Sequence, residues 1–319
     1  MDAGRHPLIE LYTLSEINKV TGAPGKFTVT VLRNPRYVDE QSCTACGDCV
    51  AKCPKEVPDS FEMGLKQRKA IYQYFPQGVP NVMTIDKENC IYFIKGKCKA
   101  CEKFCKIGAI DFDQKEEEIE LKVASIIVAT GFEPYDASKI TQFGYGKYPN
   151  VIISLQFERL SNASGPTLGK LLRPSDQKHA KKIGFIQCVG SRDGHHKKFC
   201  SAVCCMHATK EAIVAREHDP AVESFIFYTD MRAAGKGFQA YIKRAKEQYE
   251  VKYIRARAAE IGQDENQNPV IWYEDSEARK VESLSVDLAV LATSLVPRTA
   301  TPELASVLSV KLDRNGFYL

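Results

Sequence analysis

The chain has 319 residues, of which 44% are hydrophobic and 26% charged, a composition typical of a globular protein with two or three domains. The formal net charge is +4, and basic residues are interleaved with acidic ones, which argues against a nucleic-acid-binding protein. No run approaches the roughly 18 apolar residues of a membrane span, so no transmembrane segment is predicted. The N-terminus lacks the features of a signal peptide, which predicts a cytoplasmic location.

The first elements in chain order are predicted strands. Residues 8–14 and 26–33 are apolar and β-branched, and the turn-forming sequence TGAPG separates them. Beyond a cysteine-rich stretch, the continuous run Ile126–Ala129 is typical of a strand that is buried on both faces.

From about residue 150 the pattern changes to an alternation of strands and helices. Such alternation predicts a parallel sheet with crossover helices, and hence an α/β fold. The predicted strands are 224–230, 251–262, 268–275 and 286–293, together with a strand in 181–191 that runs into a glycine-containing loop. The predicted helices are 202–217 and 237–248.

An internal repeat links the two parts of the chain. Ala129–Pro134 has the pattern A-T-x-x-x-P, which recurs in Ala292–Pro297, and each copy follows an apolar run. Two copies in equivalent positions predict two related α/β domains, with the cysteine-rich stretch inserted into the first. Ser294 stands where the first copy has Gly131.

Twelve cysteines fall into two groups, eight between Cys43 and Cys105 and four between Cys188 and Cys205. In a reducing compartment such groups are metal ligands more often than disulfides. The first run, C-x2-C-x2-C-x3-C-P, is the bacterial ferredoxin pattern, in which the fourth cysteine binds the other of two [4Fe–4S] clusters. The second run, C-x7-C-x2-C-x3-C, keeps the spacing of its last three members. The predicted ligand sets are Cys43, Cys46, Cys49 and Cys105 for one cluster, and Cys90, Cys98, Cys101 and Cys53 for the other.

Structural zinc is the alternative for these eight residues, because two C-x2-C pairs can hold a four-cysteine zinc site. Zinc requires neither the third cysteine three residues on nor the C-x3-C-P ending. Two sets of four therefore favour a two-cluster ferredoxin-like module over a zinc-stabilised interaction protein.

The second group comprises Cys188, Cys200, Cys204 and Cys205. They flank a strand-to-helix loop where a dinucleotide-binding domain would carry G-x-G-x-x-G, and that pattern is broken here. A thiolate site at the helix N-terminus is one interpretation, and four cysteines are the number that a cubane needs. Buried structural cysteines and a redox disulfide remain alternatives, as does a mixed site with His195, His196 or His207.

Several motifs together resemble the A-subunit family of heterodisulfide reductase, and the resemblance covers nearly the whole chain. The motifs are PRYVD, CTACGDCVAKCP, IIVATGFEPYD, IQCVGSRD, FCSAVCCMHATK and MRAAGKGFQAYIKRAKE.

The resemblance implies a thioredoxin-reductase-like α/β flavoprotein with an inserted, α+β, two-cluster ferredoxin-like domain. It implies FAD as a cofactor and a third [4Fe–4S] cluster on the second cysteine group. Ala129, Thr130 and Gly131 are the candidate FAD contacts, and Lys210 is a candidate charge near the flavin, with an ordinary surface lysine as the alternative. The expected function is electron transfer to or from an FAD in an oxidoreductase complex of the electron-bifurcating kind, with other subunits and redox proteins such as ferredoxin or hydrogenase as partners.

The resemblance also defines the expected domain organisation. The glycine-rich FAD loop of the family is missing and the chain stops earlier than family members, which predicts an internal piece of a longer subunit or half of a split gene. FAD binding is therefore expected only with the missing segments or a partner. The expected segments are 1–37, partial FAD domain; 38–113, ferredoxin-like insertion; 114–149, returning FAD-domain strand; 150–298, second dinucleotide-binding-like domain; and 299–319, further FAD-domain sequence.

A function without flavin is the alternative. No acid–base or nucleophile constellation is recognisable in the sequence, so no catalytic residue is predicted. A soluble two-cluster carrier, in which the α/β part serves for docking, would have clusters but no flavin, even with partners present.

Overall fold

The structure is a computed structural model that describes residue 4, residues 6–275 and residues 279–319. These residues form two compact units, 1–131 with 297–319, and 132–296. The division falls after Gly131, whereas the change of pattern in the sequence predicts it near residue 150. A few residues of the predicted first and fourth segments, 1–3, 5 and 276–278, lie outside the described part.

Among the described residues before Gly131, the first unit contains seven strands. They are β1 (Ser15–Ala23), β2 (Lys26–Arg33), β3 (Glu56–Pro58), β4 (Gln67–Lys69), β5 (Ile71–Tyr72), β6 (Thr84–Ile85) and β7 (Glu117–Val123). β1, β2 and β7 form an antiparallel sheet in that order.

Two strand predictions in this unit are wrong in position. Residues 8–14 form no strand, and β1 begins at Ser15 because the hairpin turn after Ala23 fixes its register against β2. The run Ile126–Ala129 also forms no strand, and Ile127 is 91% exposed. A β-branched run forms a strand only where a neighbouring strand accepts its backbone hydrogen bonds, and no described strand pairs with this run.

The cysteine-rich stretch folds around three short helices, α1 (Asp48–Lys52), α2 (Ile91–Lys95) and α3 (Ala100–Phe104). α1 packs against α3, while β3 pairs with β4 and β5 with β6. One apolar core runs through this stretch from Tyr37 to Phe112, and it includes Cys49 of α1 and Cys101 of α3.

The second unit contains ten strands, three α-helices and two short 3-10 helices, 137–139 and 141–143, among its described residues. The strands are β8 (Glu133–Pro134), β9 (Val151–Ile153), β10 (Lys182–Val189), β11 (Glu223–Tyr228), β12 (Lys252–Arg255), β13 (Ala258–Gln263), β14 (Pro269–Asp275), β15 (Lys280–Ser285), β16 (Leu288–Thr293) and β17 (Leu295–Val296). The helices are α4 (Ser154–Ser161), α5 (Cys204–His218) and α6 (Phe238–Glu247).

A five-stranded parallel sheet with the order β12-β11-β10-β16-β9 is the centre of this unit. Its central strands β10 and β16 are largely apolar and buried, since the helices α4 and α5 and the strand β14 pack against the sheet. Phe157 of α4 and Phe185 of β10 are fully buried and pack edge to face. The predicted α/β class is confirmed by this sheet.

One predicted strand of this unit is in fact two. Residues 251–262 form β12, which belongs to the parallel sheet, and β13, which belongs to an antiparallel sheet with β14 and β15. The chain changes sheets between Arg255 and Ala258, which apolar periodicity alone does not reveal.

The two copies of the internal repeat pair with each other. Glu133 and Pro134 of β8 lie opposite Val296 and Leu295 of β17 in an antiparallel ladder. Ala292 and Thr293 end the buried strand β16, as predicted, whereas Ala129 and Thr130 follow no strand.

The chain returns to the first unit at Pro297 and forms α7 (Thr301–Leu308), which packs against β1. In the part of the chain that the structure describes, every helix is too short or too polar to cross a bilayer.

Candidate functional site

Four cysteines from both ferredoxin-type runs line one cavity of the first unit. They are Cys43, Cys46, Cys49 and Cys105. The remaining wall is largely apolar and includes Val38, Met83 and Ile110. The last cysteine of the second run thus lies with the first three of the first run, which is the grouping that a crossed arrangement requires.

The other four cysteines of the module line a second cavity. They are Cys53, Cys90, Cys98 and Cys101. Its wall is also mainly apolar and includes Ile71, Ile85 and Phe112. Residues 91–97 separate Cys90 from Cys98 and contain α2. This helix ends at Gly96, which has a left-handed φ of +65°. The longer spacing of the second run therefore does not remove Cys90 from its cavity.

Local backbone geometry explains how each short helix presents its cysteines. Gly47, with φ +87°, precedes α1, and Lys99, with φ +98°, precedes α3. The backbone amide of Ala109 donates to Sγ of Cys105 at 3.3 Å. Burial raises the pKa of Cys49 to about 11 and that of Cys101 to about 12, so these thiols become thiolates only when a metal replaces their protons.

The spacing of the sulfur atoms bears on the kind of metal centre. Zn–S bonds of about 2.3 Å would bring the sulfurs of a four-cysteine zinc site to about 3.8 Å from one another. Among the described residues, the three ligand-type side chains whose donor atoms lie within 4.8 Å of one another are Glu158, His207 and Glu211, not cysteines. No three cysteine sulfurs of the described residues therefore lie within 4.8 Å of one another, as the donors to a single zinc ion would.

The second cysteine group lies in the second unit, where β10 ends and α5 begins. Cys188 is the penultimate residue of β10, and Cys204 and Cys205 are the first residues of α5. Cys188 has a left-handed φ of +61°, and Ala202, between Cys200 and Cys204, has +60°. These conformations are costly for non-glycine residues and are frequent at functional sites.

Backbone amides donate hydrogen bonds to two sulfurs of this group. The backbone amide of Arg232 donates to Cys205 at 3.3 Å, and that of Ala202 to Cys200 at 3.4 Å. The Cys205 thiol donates to Oε1 of the Gln187 side chain at 3.2 Å, while Nε2 of the same amide is buried without a hydrogen-bond partner. Such an unpaired donor beside thiols suits a bound iron–sulfur group, whose sulfurs accept hydrogen bonds.

Burial dominates the electrostatics of these four thiols. It raises the pKa of Cys204 to about 12 and also raises the pKa values of Cys188 and Cys205. The guanidinium group of Arg192 opposes this effect at Cys188. Neither Arg192 nor its carboxylate partner Asp230 was identified from the sequence, although Asp230 follows the second strand of the sheet, where dinucleotide-binding domains carry an acid.

The histidines of this region have partners other than the cysteines. His196 shares a hydrogen bond of 2.9 Å with the hydroxyl of Tyr135, and His207 one of 2.9 Å with Glu158. His195 is exposed. The mixed cysteine–histidine site therefore has no support in these contacts.

Lys210 forms an ion pair with Glu158, which lies on α4. The hydrogen bond from His207, together with Lys210, lowers the pKa of Glu158 to about 2. Glu211 is 1% exposed, and burial followed by the charge of Glu158 raises its pKa well above the usual range. Sequence reasoning missed both glutamates. A metal cation bound by Glu158, His207 and Glu211 would have to displace the Lys210 ammonium from Glu158.

The predicted FAD contacts Ala129, Thr130 and Gly131 are consecutive residues at the end of the first unit's long N-terminal part. The carbonyl oxygen of Thr130 accepts a hydrogen bond from Arg298 at 3.5 Å. Gly131 has a left-handed φ of +76°, and a Cβ there would meet no atom within 4 Å. The glycine is therefore favoured by the backbone turn, while its surroundings are open.

No protein-family model matches the sequence. Curated relatives match over the whole chain. The iron-sulfur A-subunit of CoB–CoM heterodisulfide reductase from Methanocaldococcus jannaschii is 47% identical over 320 residues, covering 100% of this chain and 48% of that protein. The A-subunit of H2:CoB–CoM heterodisulfide, ferredoxin reductase from Methanothermobacter thermautotrophicus is 42% identical, with the same coverage.

The chain belongs to the A-subunit family of heterodisulfide reductase. It spans about half the length of these curated relatives. A third relative, from Methanosarcina acetivorans, is 40% identical over 98% of this chain and 39% of its own length. The family resemblance drawn from the sequence motifs is thus confirmed.

Solved structures with partial likeness are thioredoxin reductases. Those of T. acidophilum and Lactococcus lactis match 78% of this chain and 70% of their own, with TM-scores of 0.37 and 0.38 and identities of 14% and 16%.

Gly190 provides a test of the loop that holds Cys188. Its φ is +72°, and a Cβ would lie 2.4 Å from the ring of Tyr135. We expect Gly190→Ala to destabilise the second unit by about 1–3 kcal/mol, because left-handed strain adds to the steric clash. Urea unfolding measures this effect.

Gly194→Ala is the matched control in the same loop, since a Cβ there meets nothing within 4 Å. Equal stabilities of the two variants would contradict a specific requirement for glycine at position 190.

Proposed function

We propose that this chain carries electrons through [4Fe–4S] clusters, to or from an FAD, as part of a heterodisulfide-reductase-like oxidoreductase complex. The observation that carries the proposal is the grouping of the eight module cysteines into two cavities, each with three thiols of one run and the last thiol of the other. This grouping is the one that two-cluster ferredoxins use.

The proposed ligands are the twelve cysteines in three sets of four. Two sets are those of the module cavities, and the third is Cys188, Cys200, Cys204 and Cys205. Clusters bound there would supply one-electron exchange at potentials set by burial, charge and hydrogen bonds to sulfur. Apolar walls around the first two sets and amide donors around the third support this assignment.

The names of the relatives suggest the wider context. They describe an iron-sulfur protein of complexes that act on the CoB–CoM heterodisulfide, with H2, formate, ferredoxin or F420H2 as named redox partners. For this chain, we propose the other subunits of such a complex as partners and ferredoxin or a hydrogenase as electron donor or acceptor.

FAD belongs to the proposal through the family. Ala129, Thr130 and Gly131 would contact the cofactor through their backbone, and Lys210 would lie near the flavin ring. In that role the ion pair with Glu158 would hold the lysine in one position.

A carrier without flavin is the second candidate function. Two observations favour it: the turn by itself explains the glycine at position 131, and Glu158 by itself explains the position of Lys210. The α/β unit would then serve only for docking.

Metal analysis tests the central proposal. Because each cubane takes four thiolates, the chain reconstituted without oxygen should contain about twelve iron and twelve sulfide. Zinc at about two equivalents with no iron would refute the proposal. An iron content near eight atoms per chain would limit the proposal to the two clusters of the ferredoxin-like module.

Exchange of single cysteines tests the crossed ligand sets. Cys53→Ala should remove the cluster held with Cys90, Cys98 and Cys101 and leave the other module cluster, a loss of about four iron atoms. Electron paramagnetic resonance (EPR) of the reduced protein distinguishes the two clusters.

Cys105→Ala is the reciprocal variant, and it should remove the cluster held with Cys43, Cys46 and Cys49. An uncrossed result, in which Cys53→Ala damages the Cys43 set instead, would overturn the assignment.

Flavin content separates the two candidate functions. In an assembly that includes the remaining family sequence or a partner, Gly131→Val should lower FAD occupancy at unchanged iron content, because its side chain would enter the space left for the cofactor. Absorbance of released flavin measures the occupancy.

Gly25→Val is the control, since Gly25 also has a left-handed φ, +90°, and open surroundings, but lies in the β1–β2 turn. Absence of FAD from every assembly would leave the carrier function.

A further inference from the structure

Arg192 brings a positive charge to the third cysteine set. Its Nη1 lies 3.9 Å from the Cys188 sulfur, and its side chain is 26% exposed. In the part of the chain that the structure describes, no other arginine or lysine side chain donates a hydrogen bond to a cysteine sulfur. The module sets differ in this respect, since the donor on Cys105 is the uncharged backbone amide of Ala109.

Asp230 holds Arg192 in this position. Its carboxylate accepts a hydrogen bond from the same Nη1 nitrogen and, through its second oxygen, from Nε of Arg232 at 3.2 Å. Asp230 follows β11, while Arg192 lies in the loop after β10, so the pair connects the carboxyl ends of two neighbouring parallel strands. Arg192 is consequently anchored beside Cys188 instead of extending into solvent.

We propose that Arg192, held by Asp230, is a positioning residue that raises the reduction potential of the cluster on Cys188, Cys200, Cys204 and Cys205. The inference rests on the proposed function. One-electron reduction of a cluster held by these cysteines would add a negative charge to an anionic group, and a nearby cation would stabilise that charge most in the reduced state. A charged donor to a ligand sulfur therefore shifts the equilibrium towards reduction.

The same pair has a purely structural alternative, in which the ion pair only fastens the loop between β10 and α5 to β11. Loss of a tether lowers stability or iron content, but it does not change the potential of a cluster that remains bound. The midpoint potential therefore separates the two roles.

The experiment is an EPR-monitored redox titration of the cluster-loaded full chain. Arg192→Met should shift the third cluster to a lower midpoint potential, with the two module clusters unchanged and the iron content retained. Arg192→Lys should give a midpoint potential between those of Arg192→Met and the wild type, because lysine retains the charge without the planar donor group.

Arg257→Met is the matched control. Arg257 lines the same surface pocket as Cys188 and Arg192, but it pairs with Asp193, and its side chain is 70% exposed. Solvent screens so exposed a charge, so this variant should leave the third potential at the wild-type value.

A double-variant cycle tests the role of Asp230. In an Asp230→Asn background Arg192 is no longer held, so the additional change Arg192→Met should produce a smaller shift than it does in the wild type. A shift of equal size in both backgrounds would refute the anchoring part of the proposal.

An unchanged third potential in a fully loaded Arg192→Met protein would overturn the proposal. Should that variant lose the cluster, Arg192→Gln replaces it, and loss there too, with retention in Arg192→Lys, would assign Arg192 to tethering and also overturn the proposal. Failure of the proposed function looks different, because the wild-type chain itself would then lack the third cluster and hold about eight iron atoms.

Discussion

The packing of α1 against α3 is the contact on which both cysteine cavities of the module depend. Cys49 and Cys101 lie on these two helices and are buried in the same apolar core. Each run then sends its last cysteine, Cys53 or Cys105, to the cavity of the other run. A change that separated the two helices would therefore remove a ligand from both sets at once. Since metal binding to such small modules is largely folding free energy, cluster assembly and core formation are coupled.

The third cysteine set uses a different construction within a parallel sheet. Cys188 lies at the end of β10 and Cys204 begins α5, so the set occupies the strand-to-helix position where related α/β domains bind phosphate. The N-terminus of the 15-residue helix α5 favours negative charge, which suits thiolates as well as it suits phosphate. Ser294 stands where the first copy of the repeat has Gly131. The hydroxyl groups of Ser294 and Ser201, which is next to Cys200, share a hydrogen bond of 3.0 Å. The serine at position 294 thus contacts the segment that carries Cys200.

Glu158, Glu211 and two basic side chains of α5 form one charged group in the second unit. Glu158 receives both His207 and Lys210, while the neighbouring Glu211 is buried and its pKa is raised. One glutamate is therefore ionised beside two basic groups, and the other favours its neutral form. This arrangement places a strongly paired lysine, not a free one, on the helix that carries Cys204 and Cys205.

The sequence by itself determined the grouping of the cysteines, the parallel strands β10, β11 and β16, and the family. Cysteine spacing is a local property that survives in the sequence, and buried strands carry continuous apolar runs. Tertiary structure alone decided that Ile126–Ala129 forms no strand and that residues 251–262 divide between two sheets, because strand formation depends on partners distant in sequence. It also decided that Arg192 and Asp230 meet at Cys188. The two residues are 38 positions apart, and only the parallel pairing of β10 with β11 brings their strand ends together.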